Sequence, residues 1–560
     1  MKSKKHLIAC FCYLIFLGLS LDAADRVDLG GVTEKHVMIP MRDAVRLSAF
    51  LYIPPGDGPW PVLLEQRYAN GNDSDTQKSF AALAQSGYVT VLANFRGSQQ
   101  SQGVWRGYRA LGWGELKDGY DLVEWLGTQS WSTGKVGTFG SSQAGFAQNF
   151  LAVTEPPHLV CQYMIDTGLS LYHEGYRIGG TTRSERFKTL DKVAREPVHN
   201  QELMAEWFQH CTYDSYWADE DCTRFFDKMN VPCFTVGSWY DFMCVGSVDS
   251  YIGRHTLGGP RSRTSQQLLI GPWLHGRFKE TNKANEMIYP DNAQFAMESH
   301  MVRWFDHYLK GIDNKVTEEP TVRYYVMGAV NEASAPGNEW RTALDWPIPA
   351  HATSYFFHPN QTLQKEAPFS PGLLTWSADP LNPASIEGTG FPGAKDARDF
   401  EKQENVRTFT TEILNEPIEW TGKLQAELFV SSNAKDTDFI VRVSDVYPDG
   451  RSILIMDSIR RARYREGFER EVFMKPHEVY KVAFDVGWLS QNFNKGHRIR
   501  ITIASTGAPF YDPNPNTGEP LTIEFPANTF VAKNMLHMGK QYASKIIAPM
   551  ILCEPAKAGL

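Results

Sequence analysis

Cysteine is scarce, with 8 residues in 560, and none stands in a Cys-x-x-Cys pair or at a Cys/His spacing that holds zinc. A disulfide-built scaffold and a structural zinc site are therefore not expected. Excess basic charge is also absent: 56 Lys and Arg face 64 Asp and Glu, for a net charge of −8, which argues against a nucleic-acid partner. No phosphate-cradling glycine loop is present. The Arg96-Gly97-Ser98-Gln99-Gln100-Ser101-Gln102-Gly103 run reads as a loop after a strand, so neither cofactor nor metal is expected. Internal repeats and low-complexity segments are missing too.

Apolar runs long enough to cross a bilayer are lacking as well. The stretch from Leu7 to Leu19 follows Lys2, Lys4 and Lys5 and ends in Gly18-Leu19-Ser20, which reads as a signal peptide over residues 1–20. Its removal takes the net charge from −8 to −11, and a secreted or periplasmic location follows as the expectation. Leu7-Ile8-Ala9-Cys10 resembles a lipoprotein site, but almost no apolar region precedes it. Six cysteines remain beyond the signal, and Cys211 and Cys222, close together in a polar segment, are the pair expected to bridge.

What the chain does contain is a nucleophile elbow. Lys135 to Phe139 reads as a strand and Phe146 to Leu151 as a helix, and between them lies Gly140-Ser141-Ser142-Gln143-Ala144-Gly145. Such a turn needs small residues two before and two after the nucleophile, and Gly140 and Ala144 satisfy this for Ser142. Ser141 has Phe139 two residues before it, which is too large. Two further apolar strands end in the groups that a serine nucleophile requires. Cys233 to Ser238 leads to Asp241, and Leu268 to Gly271 leads to His275. The order Ser, Asp, His is that of α/β-hydrolases. In that chemistry His275 takes the Ser142 proton, and Asp241 fixes the imidazole tautomer and stabilises its charged form.

Along the chain, residues 30–167 and 229–344 alternate strands and helices, as in a mostly parallel sheet covered by helices. Residues 168–228 lack strand signals and read as a helical cap inserted between Ser142 and Asp241. From 345 to 560, short β-branched runs separated by Pro, Gly, Asn and Asp read as an all-β sandwich, expected as a jelly roll. Arg460-Arg461-Ala462-Arg463 and Asp512 to Asn516 within it read as solvated loops or inter-domain contacts. The chain is thus expected to be α/β in class, an α/β-hydrolase domain with a helical cap followed by a β domain that buttresses it.

The motifs GSSQAG at Ser142, GSWYD at Asp241 and GPWLH at His275 resemble those of the bacterial cocaine esterase, α-amino-acid ester hydrolase, glutaryl-cephalosporin acylase and X-prolyl dipeptidyl peptidase family. Phe95 to Gly103, Trp113 to Leu126 and Trp304 to Gly311 extend the match. The resemblance implies a serine hydrolase of small-molecule esters or amides, with an oxyanion hole formed by the Tyr68 hydroxyl and the backbone N–H of Gln143. The family usually carries Tyr where Gln143 stands, a swap expected to alter only the pocket lining. Family members selecting α-amino acyl groups place carboxylates two and three residues after the triad aspartate. Here those positions are Met243 and Cys244, which with Trp105 are candidate pocket residues for a neutral acyl group. The alternatives are an X-prolyl dipeptidyl peptidase, with Glu174, Asp214 or Glu220 holding the substrate ammonium, and a catalytically idle binding protein. The oligomeric state stays open, a homo-oligomer included.

Overall fold

A computed structural model describes residues 27–276, 282–386, 393–522 and 525–552. The signal-peptide and lipoprotein readings, with Cys10 and Cys12, lie outside the described residues, as does Cys553. No helix among the described residues is long and apolar enough to cross a membrane.

The first sheet has ten strands: β1 (Thr33–Pro40), β2 (Arg46–Ile53), β3 (Trp60–Arg67), β4 (Val89–Asn94), β5 (Ser132–Ser141), β6 (Leu159–Ile165), β7 (Cys233–Ser238), β8 (Gln266–Gly271), β9 (Val322–Val326) and β10 (Glu339–Ala343). Their spatial order is β1-β2-β4-β3-β5-β6-β7-β8-β9-β10, parallel from β4 through β9 and antiparallel at both edges. Strands β4, β7 and β8 are buried along their whole length, because helices cover both faces of the sheet. One cover is a helix over Met297–Lys310, whose Met297, Met301, Trp304, Phe305 and Leu309 share one face and pack under the sheet. Its close approach depends on Gly137 of β5, where a Cβ would lie 2.7 Å from the Phe305 ring.

Between β6 and β7 the chain forms only short helices and one longer one, Pro197–Gln209. Beyond β10 two antiparallel sheets pack against each other. One contains Ile418–Ser432 between Lys545–Ile551, Ala532–Met538 and Tyr480–Phe493, and the other runs in the order Arg407–Thr410, Arg498–Ala504, Asp438–Val446, Ser452–Arg461. Trp376, Phe409, Trp420, Phe439 and Ile501 fill the space between them. That core does not stop at the β domain. It continues without a break into Trp239, Tyr240, Cys244 and Tyr324 of the first domain, with Trp346 at the junction.

Polar contacts tie the units further. Trp488 Nε1 donates to Asp249 (2.9 Å), and Arg341 pairs with Glu419 at 2.9 Å. Two expectations need correction here. Arg461 and Arg463 are buried rather than solvated, paired with Asp438 and Asp436 at 2.9 and 2.7 Å, and the Asn514 amide bridges both carboxylates. Desolvated arginines of this kind are stable only when so paired. Cys211 and Cys222 are free thiols, not a bridge. Cys222 turns into the aromatic core beside Trp217, while Cys211 Sγ faces the Phe208 carbonyl at 3.0 Å.

Asp512 fastens the β domain to the helical insert, accepting hydrogen bonds from the Thr182 hydroxyl and from Ser184 N and Oγ at 2.9 and 2.6 Å. Asp512→Ala is expected to lower the thermal midpoint by about 2–4 °C. It should also speed proteolysis near Ser184, and unchanged cleavage there would show that the carboxylate does not hold the insert.

Candidate active site

Ser142 stands between the end of β5 and a helix over Gln143–Ala152, with φ 57° and ψ −112°. That conformation is strained for any residue with a side chain, and the neighbouring sequence permits it. A Cβ on Gly140 would fall 2.5 Å from the Ala144 Cβ, and one on Gly145 would fall 2.9 Å from Thr167. The turn closes only because these positions are bare.

The structure brings the three residues expected at strand ends into one hydrogen-bonded line. Ser142 Oγ lies 2.8 Å from His275 Nε2, and His275 Nδ1 lies 2.9 Å from Asp241 Oδ2. The Asp241 side chain is fully buried and that of His275 is partly buried. Burial works against the imidazolium, but Asp241, by charge and hydrogen bond, and the nearby Asp166 outweigh it. The His275 pKa is therefore raised above its ordinary 6.5, with Arg186 pulling the other way.

Tyr68 follows β3 directly, next to β5, and its ring packs edge-on against Phe95 and Trp105 with centroids 5.6 and 5.7 Å apart. Burial raises the phenol pKa, while Arg186 and the Tyr108 hydroxyl partly offset this. Gln143 departs from what the family pattern implied. Its side chain is not only pocket lining: Oε1 accepts from the backbone N–H groups of Tyr68 and Ala69 at 2.8 and 3.0 Å. The backbone N–H of Gln143 meanwhile stands in the first helical turn, where such groups have no partner within the helix. One residue thus offers a donor on one side of Ser142 and holds Tyr68 on the other.

The candidate pocket residues separate. Trp105 is buried behind Tyr68 and donates from Nε1 to Asn200 at 3.1 Å. Met243 belongs to the same aromatic cluster. Cys244 faces instead a cavity of about 390 Å3 between the three units, whose lining includes Asp241 and Phe242 but neither Ser142 nor His275. Glu174 lines that cavity too and spends its carboxylate on the N–H groups of Leu169 and Ser170 at 2.6 and 3.5 Å. Burial lifts its pKa to about 8. Asp214 caps a short helix and pairs with His210 at 2.6 Å. Glu220 is fully buried 3.6 Å from Arg109, and burial raises its pKa to about 7.

Two features were missed. Asp166 ends β6 with the same pattern that marks Asp241, an apolar strand running into an acid, so a signal existed. The arginines Arg183 and Arg186 of the insert carried none. Arg183 is buried between the rings of Phe242 and Phe510, 4.4 Å from each centroid. Among the described residues, Asp166, Asp241 and His275 form the grouping whose ligand atoms lie within 4.8 Å of one another. Both His275 nitrogens already face Ser142 and Asp241.

A mostly parallel sheet with a serine on the turn after β5, an acid after β7 and a histidine after β8 defines an α/β-hydrolase. Residues 43–277 match X-Pro dipeptidyl-peptidase (S15 family), and residues 314–547 match the X-Pro dipeptidyl-peptidase C-terminal non-catalytic domain. Cocaine esterase of Rhodococcus sp. (strain MB1 Bresler) is 29% identical over 592 residues, covering 94% of this chain and 100% of its own. A solved α-amino acid ester hydrolase superposes with a TM-score of 0.83 at 21% identity, covering 95% of this chain and 100% of its own. An aminopeptidase from the marine sediment archaeon Thaumarchaeota archaeon gives 0.82 at 23% identity, covering 98% and 99%. The chain belongs to the cocaine esterase, α-amino-acid ester hydrolase and X-prolyl dipeptidyl peptidase family of hydrolases.

Gln143→Leu leaves the N–H groups of Tyr68 and Ala69 unpaired and is expected to lower kcat about tenfold with little change in KM. Gln143→Glu, which keeps an acceptor there, should lose less. Because His275 must be neutral to accept a proton, kcat/KM should fall as pH drops through its raised pKa, with a midpoint above 6.5. A midpoint below that value would contradict the site's charge balance.

Proposed function

We propose that the protein is a serine hydrolase that cleaves carboxylic ester or amide bonds of small molecules through an acyl-enzyme. The observation that carries this reading is the Ser142–His275–Asp241 line, with Ser142 raised on a strained turn at a helix N-terminus. In this mechanism Ser142 Oγ attacks the substrate carbonyl while His275 Nε2 takes its proton. His275 then returns the proton to the leaving group, and water repeats the sequence to release the acid. The negative charge on the carbonyl oxygen meets the Gln143 N–H, the Tyr68 hydroxyl and the positive end of the helix.

A neutral acyl group suits the surroundings. Met243 is apolar, and Arg183 and Arg186 place positive charge toward Asp241 and His275. A substrate ammonium would meet repulsion there, while Glu174 and Asp214 are already hydrogen-bonded and Glu220 lies beside Arg109. These features favour an esterase or acylase over an X-prolyl peptidase. Residues 1–20 support export as part of the proposal.

A fluorophosphonate probe should label the wild type and Ser141→Ala but not Ser142→Ala, and absence of labelling in the wild type would favour an idle binding protein. Tyr68→Phe should lower kcat by about 10²- to 10³-fold with a smaller effect on binding. At pH 7 a phenylacetyl ester should be cleaved faster than the matching phenylglycyl ester. The reverse order, or rapid release from Gly-Pro anilides, would point to an ammonium site.

A further inference from the structure

Asp166 is the residue that the proposed mechanism does not use and that the geometry places beside it. It sits at the end of β6, between the strands that carry Ser142 and Asp241, fully buried and with φ 47°. A positive φ on a non-glycine residue persists only where the surroundings fix it. Here the fixing is visible. Asp166 N donates to the Val236 carbonyl at 2.9 Å, and Oδ2 accepts from the N–H of Gly276 at 2.7 Å. Gly276 is the residue after His275, so this carboxyl anchors the turn that carries the imidazole.

The other oxygen is the informative one. Neither Asp166 Oδ1 nor Asp241 Oδ1 has a hydrogen-bond partner among the described residues, and both are buried. Ligand atoms of Asp166, Asp241 and His275 all lie within 4.8 Å of one another. Two carboxylates this close and this dry cannot both be ionised cheaply, which favours the neutral form of one of them.

We propose that Asp166 is a second carboxyl of the relay, a positioning residue that orients the His275 turn and gains or loses its own proton beside Asp241. This rests on the serine-hydrolase reading and deepens it. While Asp166 is neutral the two carboxyls carry one negative charge, enough to balance the imidazolium formed when Ser142 is acylated. Burial, and then the charge of Asp241, push the Asp166 pKa up to about 7, while His275, the Gly276 N–H and Ser238 oppose this. The other groups facing the pair are the Cys244 thiol, whose own pKa is raised well above its ordinary value, and Arg183 and Arg186, which act on Asp241 and His275. Ionisation of Asp166 near neutrality adds a second negative charge beside His275 and raises its pKa further.

The test is the pH dependence of kcat/KM on a nitrophenyl ester and of fluorophosphonate labelling, for the wild type, Asp166→Asn, Asp241→Asn and the double variant. Asn at 166 keeps the Gly276 hydrogen bond and removes the negative charge that Asp166 gains near neutrality, so the acid limb should move down by about one pH unit with KM unchanged. In Asp241→Asn, Asp166 is left as the nearby carboxyl, and the residual rate should rise with pH as it ionises. The double variant should lose that rise and about tenfold of the residual rate. A profile for Asp166→Asn that superposes on the wild type overturns the proposal, and so does a pH-independent residual in Asp241→Asn. The latter needs no substitution at 166, so the proposal stays testable if Asp166→Asn fails to fold. A wild type that does not label at all defeats the serine-hydrolase reading instead.

Discussion

Ser142 is held with φ 57°, a conformation that costs about 1–3 kcal/mol for a residue with a side chain. Everything around it serves to keep it there. Strand β5 lies in the middle of the sheet, with β3 supplying Tyr68 on one side and β6 supplying Asp166 on the other. Ser142 N donates to the Ile165 carbonyl at 3.0 Å, so the turn is stitched to β6, while the Gln143 side chain stitches it to the segment after β3. The strain is thus spread over three strands and one helix. The bare Cα atoms of Gly140 and Gly145 allow the approach, and hydrogen bonds on both flanks make it permanent.

Around this turn the protein has gathered charges that would be costly anywhere else in a dry interior. Asp166 and Asp241 face His275 from two strand ends, and Arg183 and Arg186 approach from the helical insert. Each group shifts its neighbours, so the protonation of the site belongs to the set rather than to any single residue. Arg186 lowers the affinity of His275 for its proton while the carboxyls raise it. The balance leaves the imidazole more basic than in water.

Much of this was legible in the sequence because strands buried on both faces are near-continuous apolar runs, and a functional residue at such a strand's end stands out from them. Ser142, Asp241 and His275 all have that signature, and Asp166, after Tyr163-Met164-Ile165, has it too. It was overlooked because serine chemistry requires one acid and Asp241 already supplied it. The side chain of Gln143 was misjudged for a different reason. Its partners are backbone N–H groups some seventy-five residues earlier in the chain, and no local pattern reports a contact with backbone. The bridge expected between Cys211 and Cys222 failed because closeness in sequence does not decide where side chains point, and an aromatic core claimed Cys222. The arginine pair Arg461 and Arg463 reads as surface in composition, and only the facing Asp436 and Asp438 on another segment allow its burial.

The stack of Phe242, Arg183 and Phe510 joins the residue after Asp241, the helical insert and the β domain through one guanidinium. Phe242 also lies 5.5 Å from the His275 ring. Synthesis runs from the N-terminus, so the first sheet and its serine emerge long before residue 510 does. During that interval the loop bearing Asp241 lacks one face of its clamp. Until residue 510 is in place Arg183 has only the Phe242 ring to stack on, so the second ring of the clamp is the last part of it to arrive.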